Sequence, residues 1–172
     1  MSKMKKINFL LIFLLGLAIF VAIYFPLRYN NFAPAERERE VLVYFSDKDA
    51  NYLVSEKRMV SAESVYNDTL KELIKGPKNE NLIKTIPDGV EVIDFKLENN
   101  IIRINFNEAL QKNHWGGSSG EIMTVYSIVN TMTQFDKISQ VEFLIEGVEI
   151  ETLSGHMDLS RPLGKNNKII DE

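Results

Sequence analysis

The 172-residue chain has no cysteine. That leaves no residue for a disulfide, a thiolate-ligated metal, thiol catalysis or a cysteine-linked lipid anchor. Histidine is scarce: His114 and His156 are the only two, and neither has a second imidazole nearby in sequence. A His-Glu-x-x-His helix is missing, so that widespread metallohydrolase signature is absent. Basic charge is in short supply beyond the amino end. Residues 1–35 carry Lys3, Lys5, Lys6 and Arg28 and no acid, and the remainder holds 16 basic and 24 acidic residues, a net charge of −8. Such an acidic remainder argues against nucleic acid, whose phosphates require a basic face. Proteins or small ligands are the expected partners.

One long hydrophobic run is present. Phe9 to Phe25 is apolar apart from Gly16, and Ile7 and Leu27 extend it. As a helix, residues 7–27 would be about 31 Å long, close to the hydrocarbon thickness of a bilayer. The expectation is therefore a transmembrane anchor over 7–27, preceded by a cytoplasmic tail at 1–6. The lysines on the amino side would place the C-terminal domain outside the cytoplasm. A cleaved leader is the rival reading, because Ala33-Pro34-Ala35 has the small-x-small form of a cleavage site, although it lies well past the apolar run. Residues 28–40 read as a charged linker ending in Glu36-Arg37-Glu38-Arg39-Glu40.

A folded domain is expected from Val41 to Leu163, with a C-terminal tail at 164–172. Val41–Phe45 and Leu53–Val60 read as strands flanking a turn-prone segment. Ser61 is placed to cap a helix whose Val65, Tyr66, Thr69, Leu70 and Leu73 share one face, and Gly76-Pro77 ends it. Ile93, Phe95 and Leu97 alternate with polar residues, as do Ile102, Ile104 and Phe106. Between the two runs, Asn99-Asn100 suits a two-residue hairpin turn. Ser118 and Glu121 have capping-box spacing before a second helix that runs to about Gln134. Val141, Phe143 and Ile145 form a last main strand, and Val148–Thr152 is a possible return. The order β-β-α-β-β-α-β(-β) implies an α+β class: an N-terminal transmembrane helix, then one domain with two helices packed on a largely antiparallel sheet.

Sites of chemistry are few. Gly116–Gly120 precedes a helix and could cradle an anion, but Glu121 and Ile122 follow where a P-loop needs Lys and Ser or Thr. Asp47-x-Asp49-x-Asn51 opens like a calcium loop, yet Tyr52 and Arg58 stand where such a loop needs Gly and Glu. His156 and Asp158 could orient an imidazole or bind a metal if the fold supplied further ligands; a structural turn is the simpler reading. Trp115 beside His114 is an aromatic on a loop, as suited to an interface as to partial burial. No catalytic residue, cofactor site or metal site is assigned, and the chain reads as a non-enzyme. The possible interaction residues are His114, Trp115, Gly116, Gly117 and Ser118, with His156, Asp158 and Arg161.

Several segments, taken together and in order, carry a resemblance. They are Val43–Phe45, Leu73–Pro77, Ile86–Gly89, Ile104–Phe106, Gly116–Ser118 with Glu121, Val129–Thr131, Val141–Gly147, and Gly155–Ser160 with Pro162. The pattern resembles the GerMN domain family of sporulation and spore-germination proteins, in a single copy over about 41–163. That resemblance implies an extracytoplasmic module similar in architecture to ring-building motifs, acting through protein contacts and carrying no catalytic residues. The implied partners are other envelope or sporulation membrane proteins, or further copies of the chain. A small-ligand or peptidoglycan-binding role, with the His114-Trp115 loop stacking on sugar, is the alternative.

Overall fold

A computed structural model describes the backbone of residues 2–29 and 37–171, with side chains described for Leu11, 13–25 and 37–171. The Ala33-Pro34-Ala35 site and most of the expected linker lie outside the described residues. The chain divides into two units, residues 1–36 and 37–172.

The described residues of the first unit form one helix, α1 (Ser2–Tyr29). Its described side chains are apolar and solvent-facing, and Phe20 stacks on Tyr24 with 5.2 Å between ring centroids. The expected transmembrane anchor is corrected here: among the described residues, no helix is long and apolar enough to cross a membrane.

The second unit opens with the hairpin β1 (Glu38–Ser46) and β2 (Leu53–Ser61), paired in register from Glu38↔Ser61 to Ser46↔Leu53. Helix α2 (Val65–Lys75) follows, then the hairpin β3 (Val92–Glu98) and β4 (Ile101–Phe106). A short α3 (Ala109–Lys112) leads to the long α4 (Ser118–Met132). The chain then forms β5 (Gln140–Ile145), β6 (Val148–Glu149) and β7 (Leu163–Gly164). Residues beyond 164 pack back on the domain: Ile170 bridges Leu53, and the Asp171 N–H donates to the Leu53 carbonyl at 3.0 Å.

Two sheets form where sequence alternation alone reads as one. β1 and β2 make a two-stranded sheet; the other runs β3-β4-β5-β6, with β7 also on β5. Its central pair, β4 and β5, is parallel from Ile101↔Gln140 to Phe106↔Ile145. A parallel neighbour needs a long crossover, and the stretch carrying α3 and α4 supplies it. Helix α4 lies between the two sheets. Val125, Ile128, Val129 and Met132 are fully buried, in one core with Val43 and Phe45 of β1, Ile102 and Ile104 of β4, and Val141 and Phe143 of β5.

That sandwiched position explains the polar side chains at the C-terminal end of α4 and just past it. The Gln134 amide accepts from the Leu42 N–H at 2.8 Å and donates to the Leu42 carbonyl at 2.6 Å, and Thr131 Oγ1 accepts from the Tyr44 N–H at 3.1 Å. These side chains satisfy backbone groups on the outer edge of β1 as a neighbouring strand would.

Three local expectations change. Ser61 ends β2, and α2 begins after Ser64, whose hydroxyl is bonded to Asp68. Ile93 is 49% exposed because a bulge between Val92 and Asp94 puts Val92 against the core in its place. Asn99 and Asn100 do make the tight turn, with φ of 51° and 64°. The third change concerns Glu121.

Candidate functional site

The residues singled out from the sequence fall on two loops that the fold brings together. The first, residues 113–117, links α3 to α4. It starts from a fixed point, because Asn113 Nδ2 donates to the Asp88 carbonyl at 2.8 Å and the Asn107 side chain binds Gly89 and Glu91. His114 then ties the loop to α4. Its Nδ1 accepts from the Gly116 N–H at 3.0 Å, so the ring proton belongs on Nε2, which faces Thr124 Oγ1 at 3.1 Å. Thr124 in turn donates to the Thr85 carbonyl at 2.7 Å. Burial lowers the His114 pKa below its ordinary value, while the nearby Glu121 charge opposes that shift.

Gly116 and Gly117 sit at φ of 76° and 78°, the left-handed region where a side chain is strained. This turn lets the chain reverse into α4 and leaves Trp115 outside. Trp115 is 60% exposed and meets the His114 ring edge-on at 5.7 Å. Its indole forms one wall of a groove of about 360 Å³ that also involves Ala50, Ile83, Thr85 and Met123. Thr85 Oγ1 in this lining is buried with no hydrogen-bond partner in the protein.

The second loop, residues 150–161, is organised by Glu121. The expected capping box does not form: Gly117 is the N-cap and no side chain caps α4. Instead, the Glu121 carboxylate is fully buried and turned toward the second loop. Oε1 accepts from Thr152 Oγ1 (2.7 Å), the Leu153 N–H (2.9 Å) and the Ser154 N–H (3.0 Å). Oε2 accepts from Ser154 Oγ (2.9 Å) and the His156 N–H (2.8 Å). His156 Nδ1 stands 3.3 Å from the same oxygen. Burial alone would raise this carboxyl's pKa; the hydrogen bonds from Thr152, Ser154 and His156 outweigh it and bring the pKa down to about 2. Leu153 and Leu159 anchor the loop in the core on either side.

Asp158 is not the partner of His156. Its carboxylate accepts from the Ser160 N–H and hydroxyl at 3.0 and 2.6 Å, closing a local turn, and Arg161 beside it lowers its pKa further. The Asp47 carboxylate is likewise used locally, accepting from the N–H groups of Asn51 and Tyr52. Among the described residues there is no group of three or more His, Asp or Glu side chains placed to hold a metal ion.

Of the residues singled out from the sequence, His114, Trp115, Gly116 and Gly117 fall on one loop, Ser118 opens α4, and His156, Asp158 and Arg161 fall on the other loop. Sequence reasoning missed Glu121, which joins the two loops. A signal was present: Glu121 is the only charged residue in α4.

An α+β domain of two sheets with a helix between them, bearing two loops tied through a buried carboxylate, defines a scaffold class. Comparison with known proteins places it in a family. A model of the Germane family, "Sporulation and spore germination", matches residues 42–151, and the chain belongs to that family. Among solved structures, it is similar to the tandem GerMN domains of the sporulation protein GerM from Bacillus subtilis. That match has a TM-score of 0.64 and 21% identity, over 74% of this chain and 46% of that one. The first GerMN domain of the same Bacillus subtilis protein matches with a TM-score of 0.63 and 22% identity, over 73% of this chain and 97% of that one. The chain thus spans under half of the tandem structure and nearly all of the single domain. No curated protein matches the chain significantly.

Proposed function

We propose that this domain is a non-catalytic interaction module of sporulation or spore germination, which holds a partner protein through the Trp115 groove. The observation that carries the reading is Trp115 itself. A large aromatic ring stands mostly in solvent on a loop pinned at Asn113, His114 and Gly116. Such a ring is pre-ordered for contact, so little ordering entropy opposes binding. With Ala50, Ile83 and Met123 in the same lining, the groove suits an apolar side chain of the partner. A hydrolase is disfavoured because both Glu121 oxygens are committed to the loop backbone and hydroxyls, which leaves that carboxylate without a lone pair for general-base work. The sugar-binding alternative loses ground in the same way. Thr124 is spent on Thr85, Ser46 on the Asp47 carbonyl and Lys84 on Asp88, which leaves few free groups to read hydroxyls.

A photo-crosslinking residue placed at 115 in sporulating cells tests the reading. It should yield a discrete protein adduct that the same group at the exposed Lys71 does not. Adducts of equal yield at both positions, or adducts to wall glycan alone, would contradict it.

A further inference from the structure

β3 is an edge strand. The order β3-β4-β5-β6 leaves its outer side unpaired among the described strands. The Asn99-Asn100 turn determines which backbone groups face outward there. In a two-residue hairpin of this type the closing residues, Glu98 and Ile101, exchange both of their hydrogen bonds. Alternation then turns the N–H and C=O of Lys96 and Asp94 toward β4, and those of Leu97 and Phe95 outward.

We propose that this edge pairs antiparallel with β3 of a second copy of the chain, about a two-fold axis at Phe95. Only outward-facing residues can centre such a pair, which leaves Phe95 or Leu97. An axis at Leu97 runs the strands into the Asn99-Asn100 turn after one pair on each side. The Phe95 axis uses the strand's full length. It also sets Asp94 opposite the partner's Lys96, and Lys96 opposite the partner's Asp94. Both are non-hydrogen-bonded positions, where opposing Cα atoms come to about 4.5 Å and side chains are closest. An edge lysine ordinarily blocks strand addition. Within one copy Lys96 pairs with the exposed Glu98 at 2.8 Å, and Asp94 Oδ2 accepts from Asn105 Nδ2 at 3.0 Å; in this register Lys96 turns to the partner's Asp94, and the block becomes two ion pairs. This surface shares no residue with the Trp115 groove.

Sedimentation of the full chain, in mild detergent that solvates the apolar side chains of α1, reads the association. The wild type should show a concentration-dependent dimer. Asp94→Lys places like charges opposite each other twice and should weaken the dimer about tenfold or more. Adding Lys96→Asp restores opposite charges and should restore the dimer. Because the chain has no cysteine, register can be read directly. Mixed Asp94→Cys and Lys96→Cys chains should form a disulfide with each other in clear excess over either variant alone. Circular dichroism confirms that each variant is folded. A wild type that stays monomeric, a dimer indifferent to Asp94→Lys, or equal disulfide yield from Asp94→Cys alone would overturn the proposal.

Discussion

Replacing Glu121 with glutamine is the most informative perturbation of the scaffold. The change conserves shape but removes the charge and sets an NH₂ group where one oxygen now accepts. Whichever way the amide turns, at least two donors lose an acceptor: Ser154 Oγ and the His156 N–H on one side, or Thr152 Oγ1 and the N–H groups of Leu153 and Ser154 on the other. Hydrogen bonds to a charged group contribute about 1.5–3 kcal/mol each, so the loss should be about 3–5 kcal/mol. Titration gives a second route to the same quantity. A carboxyl lowered from 4.5 to about 2 on folding contributes ~3 kcal/mol, at about 1.4 kcal/mol per pKa unit. The sign follows from the lowered value. This stability is fully present above pH 4.5 and is lost as pH falls toward 2. Urea unfolding of wild type and Glu121→Gln from pH 7 to 2 separates this carboxylate from the others. Their difference should be about 3 kcal/mol at neutral pH and shrink steadily below pH 4.5. A difference under ~1 kcal/mol at pH 7, or one that does not change with pH, would refute the reasoning.

Two further outcomes follow from buried charge and from the His114 ring. Arg58 is 4% exposed, paired with Glu56 at 2.5 Å and Glu72 at 3.3 Å, and lies over the Phe45 ring; Arg58→Met removes that cation while Glu56 keeps the Lys78 and Asn79 N–H groups and Glu72 keeps Lys75, and should cost about 2–3 kcal/mol in urea unfolding. His114 should titrate below its ordinary value of 6.5, as Nε2–H tautomer at neutral pH, in ¹⁵N NMR of the imidazole. Its contribution to stability is present above that ordinary value and falls away as pH drops below it, and the Gly116 amide should lose its protection from exchange over the same range.

Much of this architecture could be read from periodicity. The alternation in β4 and β5, the stripe on α2 and the Asn99-Asn100 turn each follow from local rules, because the signal and the structure span the same few residues. What escaped depends on distant partners. Ser118 and Glu121 have the spacing of a capping box, but spacing cannot say that a carboxylate will face a loop some thirty residues later in the chain. Gln134 reads as the polar end of a helix until β1 is seen beside it. The parallel pairing of β4 with β5 is invisible to alternation, which is the same in either direction. The bulge at Ile93 breaks a period that its neighbours keep. Composition alone makes residues 7–27 read as a membrane span, whereas among the described residues no helix is long and apolar enough to cross one. For the candidate site, Trp115 and the glycines stood out by type. The fold shows why they sit there: His114 and Glu121 hold the two loops from beneath.

Trp115 is proposed as a contact residue and not a packing residue, and one comparison separates the two. Full-length protein and a Trp115→Ala variant, both recovered from sporulating cells after crosslinking, are compared for what co-purifies and for unfolding free energy. An exposed ring contributes little to folding, so the variant should stay within about 1 kcal/mol of wild type while its partner protein is lost. Undiminished partner recovery from a folded Trp115→Ala variant would contradict the central claim.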